Sequence, residues 1–134
     1  MTPLPPKDQP PPYEFARNHL VRARNAARKH PVDWTDLTVY GFYCLELALR
    51  AAAEYLGATI TTNHLQKAEL AKALAAEHNL PDVSALLLKL NKARKATGYG
   101  DVAIPAIDSD DLLAQLEGYV SAVGGLLAPH EETG

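Results

Sequence analysis

The stretch Leu37-Thr-Val-Tyr40-Gly-Phe-Tyr-Cys-Leu45-Glu-Leu-Ala-Leu-Arg50 decides the fold. On a helix each residue advances by about 100°. At that pitch Leu37, Val39, Tyr40, Phe42, Tyr43, Leu45, Leu47 and Leu49 leave almost no polar side. A helix that is apolar nearly all round belongs at the centre of a bundle. Asp33 or Thr35 can cap its start, and Gly57 is a natural stop after Leu56.

The flanking sequence supplies the helices that would surround it. Residues 13–29 read as a helix with Phe15, Leu20, Ala23, Ala26 and Ala27 on its apolar side, ended by Pro31. Thr62 or Asn63 opens a third helix to about His78, with Leu65, Leu70 and Leu74 as its stripe. Asn79-Leu80-Pro81-Asp82 is a turn. A fourth helix over roughly 82–97 places Val83, Leu86, Leu87, Leu90, Ala93 and Thr97 on one face, and Gly98 and Gly100 break it. Asp108 or Ser109 caps a last helix to about Leu127, while Val102-Ala-Ile104-Pro105 is too short for a strand. The expected fold is therefore all-α, a four- to five-helix up-and-down bundle. Residues 1–12 hold six prolines and are expected to be a disordered or extended tail. The helical domain spans 13–128, and 129–134 forms a second disordered tail.

Composition agrees. The chain has 134 residues, enough for one sizeable core, with 47% apolar but only 7% aromatic side chains. Ala and Leu dominate, and both favour helix. The single cysteine, Cys44, rules out an intrachain disulfide and cannot build a thiolate metal site. No apolar run approaches the ~20 residues of a membrane span, and the N-terminus lacks an apolar signal core. A soluble, cytoplasmic protein is the expectation.

A formal net charge of −3 does not announce a nucleic-acid binder, but the charge is unevenly placed. Residues 15–30 carry Arg17, Arg22, Arg24, Arg28 and Lys29 and no acid. Residues 83–99 carry Lys89, Lys92, Arg94 and Lys95 and no acid. Residues 100–134 carry seven acids and no Lys or Arg. Two basic windows on an acidic chain are either solvated helix faces or a surface for phosphates.

Two charges stand apart. Arg94 falls on the flank of the fourth helix's apolar face, and Glu46 is the one carboxylate between Leu37 and Leu49. Each needs a partner. For Glu46 that partner is either Arg50 at i+4 or Arg94 from another helix. The result is either an ion pair that fixes helix register or a polar pocket for a phosphate. The five histidines are scattered without the i,i+4 spacing of a helical zinc site, and His64 reads as structural. Gly98 and Gly100 do not form a phosphate loop, since no Gly-Lys-Ser/Thr follows. Asp108, Asp110 and Asp111 read as helix capping. No metal and no cofactor is expected.

Taken in order, these features resemble the HEPN superfamily of helical nucleotide-binding domains. The matching residues are Tyr40-x5-Glu46-x3-Arg50, the opening Thr62-Asn63-His64-Leu65, and the leucine-rich helix ending in Arg94-x4-Tyr99-Gly-Asp101, followed by Pro105 and a final helix. The resemblance covers about residues 13–127. It implies a homodimer and, in active members, a metal-independent RNA-cleaving site built on an Arg-x4-6-His motif. Arg94 corresponds to the motif arginine, Glu46 to the supporting polar residue, and Tyr99 to a tyrosine beside the motif. Arg50, Lys92, Lys95 and Asp101 are the candidate ligand contacts. The resemblance also implies RNA or a nucleotide as ligand and a nucleotidyltransferase-type antitoxin as partner, in a toxin–antitoxin pair.

The sequence departs from that pattern at the motif histidine: none occurs between Arg94 and His130. Cleavage by 2′-hydroxyl attack needs a group that moves protons near neutral pH, which tyrosine and arginine do poorly. The expected function is thus a dimeric binding module with a degenerate ribonuclease motif. The alternatives are a metal-independent endoribonuclease using Arg94 with Tyr99, His64 or His78 as substitute base, and a purely structural or interaction bundle.

Overall fold

The computed structural model describes residues 11–98 and 104–128. They form five α-helices: α1 Pro11–Ala27, α2 Trp34–Leu56, α3 His64–His78, α4 Ser84–Gly98 and α5 Ser109–Leu127. The fold is all-α, with no strand among the described residues. Residues 1–10, 99–103 (Tyr99, Gly100 and Asp101 among them) and 129–134 lie outside the described residues, and so do the expectations placed on them.

The helix ends follow from local chemistry. The Asp33 side chain accepts a hydrogen bond from the Asp36 amide, Asn63 from the Gln66 amide, and Asp108 from the amides of Asp110 and Asp111. Gly57 closes α2 in the left-handed region at φ 75°, sending its amide back to Ala53 and Glu54. Asn79 does the same job for α3 at φ 59°. α1 starts two residues earlier than its hydrophobic pattern, because Pro11 and Pro12 sit in the first turn, where no intrahelical amide donor is needed.

α2 is the hub. It packs against α1, α4 and α5, and α3 reaches the bundle mainly through α4. Leu37, Leu45, Ala48, Leu49 and Ala51–Ala53 are fully buried. Gly41 lets α4 and α5 come close, with a Leu116 methyl 3.4 Å and a Leu90 methyl 3.7 Å from where its Cβ would stand.

Two apolar stripes differ from the expected ones. On α1 the buried side is Tyr13, Ala16, Leu20, Ala23 and Ala26, whereas Phe15 is exposed. On α3 it is Lys67, Ala68, Ala71 and Leu74, and Leu65 is 58% exposed. In both cases alanines, not the larger residue, face the neighbouring helix, since small side chains allow close packing of helix axes.

Candidate functional site

The face of α2 that carries Tyr40, Tyr43 and Glu46 is only half-buried, in contrast to the face that carries Leu37, Cys44, Leu45, Ala48 and Ala52. α1 borders it on one side through His19 and Arg22. α3 and α4 border it on the other through His64, Lys67 and Arg94.

Glu46 is paired with Lys67 of α3 rather than with Arg50 or Arg94. The pair is well shielded, with side-chain exposures of 8% for Lys67 and 17% for Glu46. The signal for Lys67 was present in the chain: Lys67, Ala71 and Leu74 share one helical face at i, i+4 and i+7. Arg50 is half-buried and forms no ion pair among the described residues.

Because Glu46 is taken, Arg94 is placed differently. Its guanidinium carbon lies 4.7 Å from the centre of the Phe42 ring and 6.0 Å from that of Tyr43, within cation–π range. Its Nη2 donates to Oδ1 of the buried Asn91 at 2.6 Å, and its buried Nε has no partner among the described residues. No carboxylate of the described residues lies within ion-pair distance of it.

The Phe42 ring also meets His64, the first residue of α3, edge-on at 5.6 Å. Arg94 and His64 are therefore gathered on one aromatic ring. Burial lowers the affinity of the His64 imidazole for a proton, and the cations Lys67, Arg94 and Lys95 lower it further against the opposing pull of Glu46. His64 is neutral at pH 7. His78, at the other end of α3, is exposed beside Glu77 and takes no part.

On the α1 side, His19 stacks on Tyr40 at 5.6 Å and meets Tyr43 at 5.8 Å. Arg22 lies over Tyr40 at 5.5 Å. Burial, then the neighbouring Arg22, lowers the His19 pKa. The two basic windows of the sequence do not form one continuous face. They lie on opposite flanks of α2, joined by this row of aromatic rings. Lys92 and Lys95 are exposed on α4, and Tyr99 and Asp101 fall outside the described residues.

Other features lie away from this cluster. A groove of about 440 Å³ between α1 and α5 is lined by Arg17, Val21, Arg24 and Val120, with Arg24 held by Glu117 at 2.9 Å. A second groove, of about 500 Å³, runs along α4 beside Leu88, Lys89, Lys92 and Ile104. Cys44 is buried, and burial pushes its thiol up to about 12, which leaves it unreactive. Among the described residues no group of His, Cys, Asp and Glu is placed to hold a metal, and no helix is long and apolar enough to cross a membrane. No family model, curated protein or solved structure matches the chain.

Proposed function

We propose that this chain is a HEPN-like helical module that binds RNA or a nucleotide through the Phe42–Arg94–His64 cluster and pairs with a second copy of itself. The observation that carries the reading is the state of Arg94. It is a half-buried cation, held in place by an aromatic ring and a neutral amide, with its local carboxylate already neutralised by Lys67. An arginine so fixed offers its remaining donors to a phosphate, whose planar recognition suits the guanidinium fork. Lys95 adds positive charge on the same helix. The implied nucleotidyltransferase-type antitoxin belongs to this proposal on the resemblance alone.

The test pairs thermal melts with an RNA-binding titration on wild type and Arg94→Ala. Under the proposal, Arg94→Ala lowers RNA affinity at a salt concentration where wild type binds. A loss of stability with unchanged binding would favour the purely structural bundle instead. Wild type that fails to bind RNA or nucleotide even at low salt removes the reading.

A second reading, endoribonuclease activity, is favoured by His64. The motif histidine is absent from the sequence after Arg94, but the fold brings a neutral imidazole to the same ring. His64 would accept the 2′-hydroxyl proton as that oxygen attacks the adjacent phosphorus. The 5′-oxygen of the next nucleotide would then leave, taking a proton from solvent water to become the 5′-hydroxyl, and Arg94 would stabilise the charge on the phosphorane. Cleavage of RNA by wild type that His64→Ala abolishes, with RNA binding retained, would establish it.

A further inference from the structure

We infer that Arg22, Tyr40, His19 and Tyr43 form a stacking subsite for unpaired bases of a single-stranded RNA whose phosphate is held at Arg94. The inference rests on the reading of Arg94 as a phosphate contact. It concerns a different set of side chains, contributed by α1 and the half-exposed face of α2.

Together with Arg94 the four groups form an uninterrupted row. Arg22 to Tyr40, Tyr40 to His19, His19 to Tyr43 and Tyr43 to Arg94 are separated by 5.5, 5.6, 5.8 and 6.0 Å. The row links one basic window of the sequence to the other. Its members have flat π-faces or a flat guanidinium, the surfaces on which bases stack without regard to sequence. Arg22 is exposed and forms the outer layer. A base can stack on the outer side of its guanidinium or take its place on Tyr40. Burial and the neighbouring Arg22 lower the His19 pKa, which favours an uncharged ring between Tyr40 and Tyr43.

A purely structural role explains the row less well. Core aromatics are normally enclosed by apolar side chains, yet Tyr40, Tyr43 and His19 all keep part of their surface in solvent. A run of three rings flanked by a cation at each end, along a solvent-facing strip, is the pattern of a single-strand platform. A double-stranded partner would not present its base faces to such a strip.

The test compares two probes, an eight-nucleotide single-stranded RNA and the same sugar–phosphate chain without bases. Wild type is expected to hold the base-carrying strand roughly 5- to 100-fold more tightly than the abasic one. Tyr40→Ala should erase that difference and Tyr40→Phe should keep it. Arg22→Gln sits at an exposed position where folding is not at issue. It should weaken the base-carrying strand roughly two- to fivefold and narrow the difference. Arg94→Ala should weaken both strands alike. If wild type holds the two strands equally, or Arg22→Gln and Tyr40→Ala bind both as wild type does, the subsite is overturned. A concurrent loss on Arg94→Ala would then leave the phosphate reading standing. If wild type holds neither strand at low salt, both fall.

Discussion

A lysine with only 6% of its surface exposed needs a counter-charge, and Glu46 supplies it to Lys67. The sequence showed that Glu46 was an isolated carboxylate in need of a cation, but not which one. The partner lies twenty-one positions away on α3. The alignment of Lys67 with Ala71 and Leu74 turns it toward the bundle, but its partner is set only when the neighbouring helix is placed. Lys67→Ala should destabilise the fold by about 3 kcal/mol, because it leaves a shielded carboxylate unpaired. The double substitution Glu46→Gln with Lys67→Met should recover most of that loss, to within about 1 kcal/mol of wild type. Urea denaturation of Glu46→Gln, Lys67→Met, their double variant and wild type gives the coupling directly. Strictly additive effects would show that the ion pair contributes nothing of its own.

The two imidazoles of the cluster make a second statement at the same scale. His19 and His64 both bind protons less readily in the folded chain than at the unfolded value of about 6.5. The unfolded chain therefore takes up more protons as pH falls through that value, and stability drops with it. The expected outcome is a lower urea midpoint at pH 5.5 than at pH 7.5. Asp33 and Asp82 act in a separate window. The Asp33 carboxyl sits below the ordinary value chiefly because the Asp36 amide donates to it, and that of Asp82 because the Ser84 hydroxyl, then the Ser84 amide, donates to it, so their contribution is lost only at more acid pH, below about 4. Replacing both histidines with asparagine should flatten the midpoint between pH 7.5 and 5.5. A midpoint already flat in wild type would contradict the lowered affinities.

At the scale of the elements, the helix boundaries were the most legible part of the chain. Asp33, Asn63, Gly57 and Asp108 act where side-chain chemistry places them, since a cap depends on neighbours within three or four residues. The buried faces were harder to read. Phe15 and Leu65 look like core residues but stand in solvent, and Ala68 and Ala71 carry the α3 contact. Alanine contributes little to an apolar pattern, yet it permits the closest approach between helices. The α1–α5 contact turns on the same point. A Cβ at Gly124 would stand 2.1 Å from the Tyr13 hydroxyl oxygen and 3.0 Å from the ring carbon that bears it. Tyr13 is itself buried, so its ring has little room to yield. Gly124→Ala should thus cost about 1–3 kcal/mol from overpacking, despite a helix-propensity gain of up to ~1 kcal/mol. Gly118 and Gly125 on the same helix face open space, and alanine at either should stabilise by up to ~1 kcal/mol. Thermal melts of the three variants separate the cases, and a stabilised Gly124→Ala would show that Tyr13 repacks freely.

At the scale of the molecule, charge and apolar surface are segregated in a way that bears on self-association. α4 carries Lys89 and Lys92 beside the exposed Leu88, and Ile104 stands 59% exposed across the groove between them. The first turn of α5 carries Asp110 and Asp111. A two-fold arrangement needs one patch that complements itself, and an apolar groove with lysines near an acidic helix start meets that need. The bundle was legible from α2, because a helix so largely apolar must be packed on most sides, even though its face with Tyr40, Tyr43 and Glu46 stays half-exposed. This surface was not, because Leu88 looks the same in sequence as the buried Leu86 and Leu87. Light scattering at high micromolar concentration should report a dimer. Leu88→Lys would then place a charge in the apolar part of the groove and shift the protein to monomer. Because Leu88 is already 40% exposed, its replacement should leave the melting of the monomer within the ±0.5 kcal/mol typical of surface changes. A wild-type monomer at that concentration would remove the dimer from the proposal, and a dimer indifferent to Leu88→Lys would move its interface away from α4.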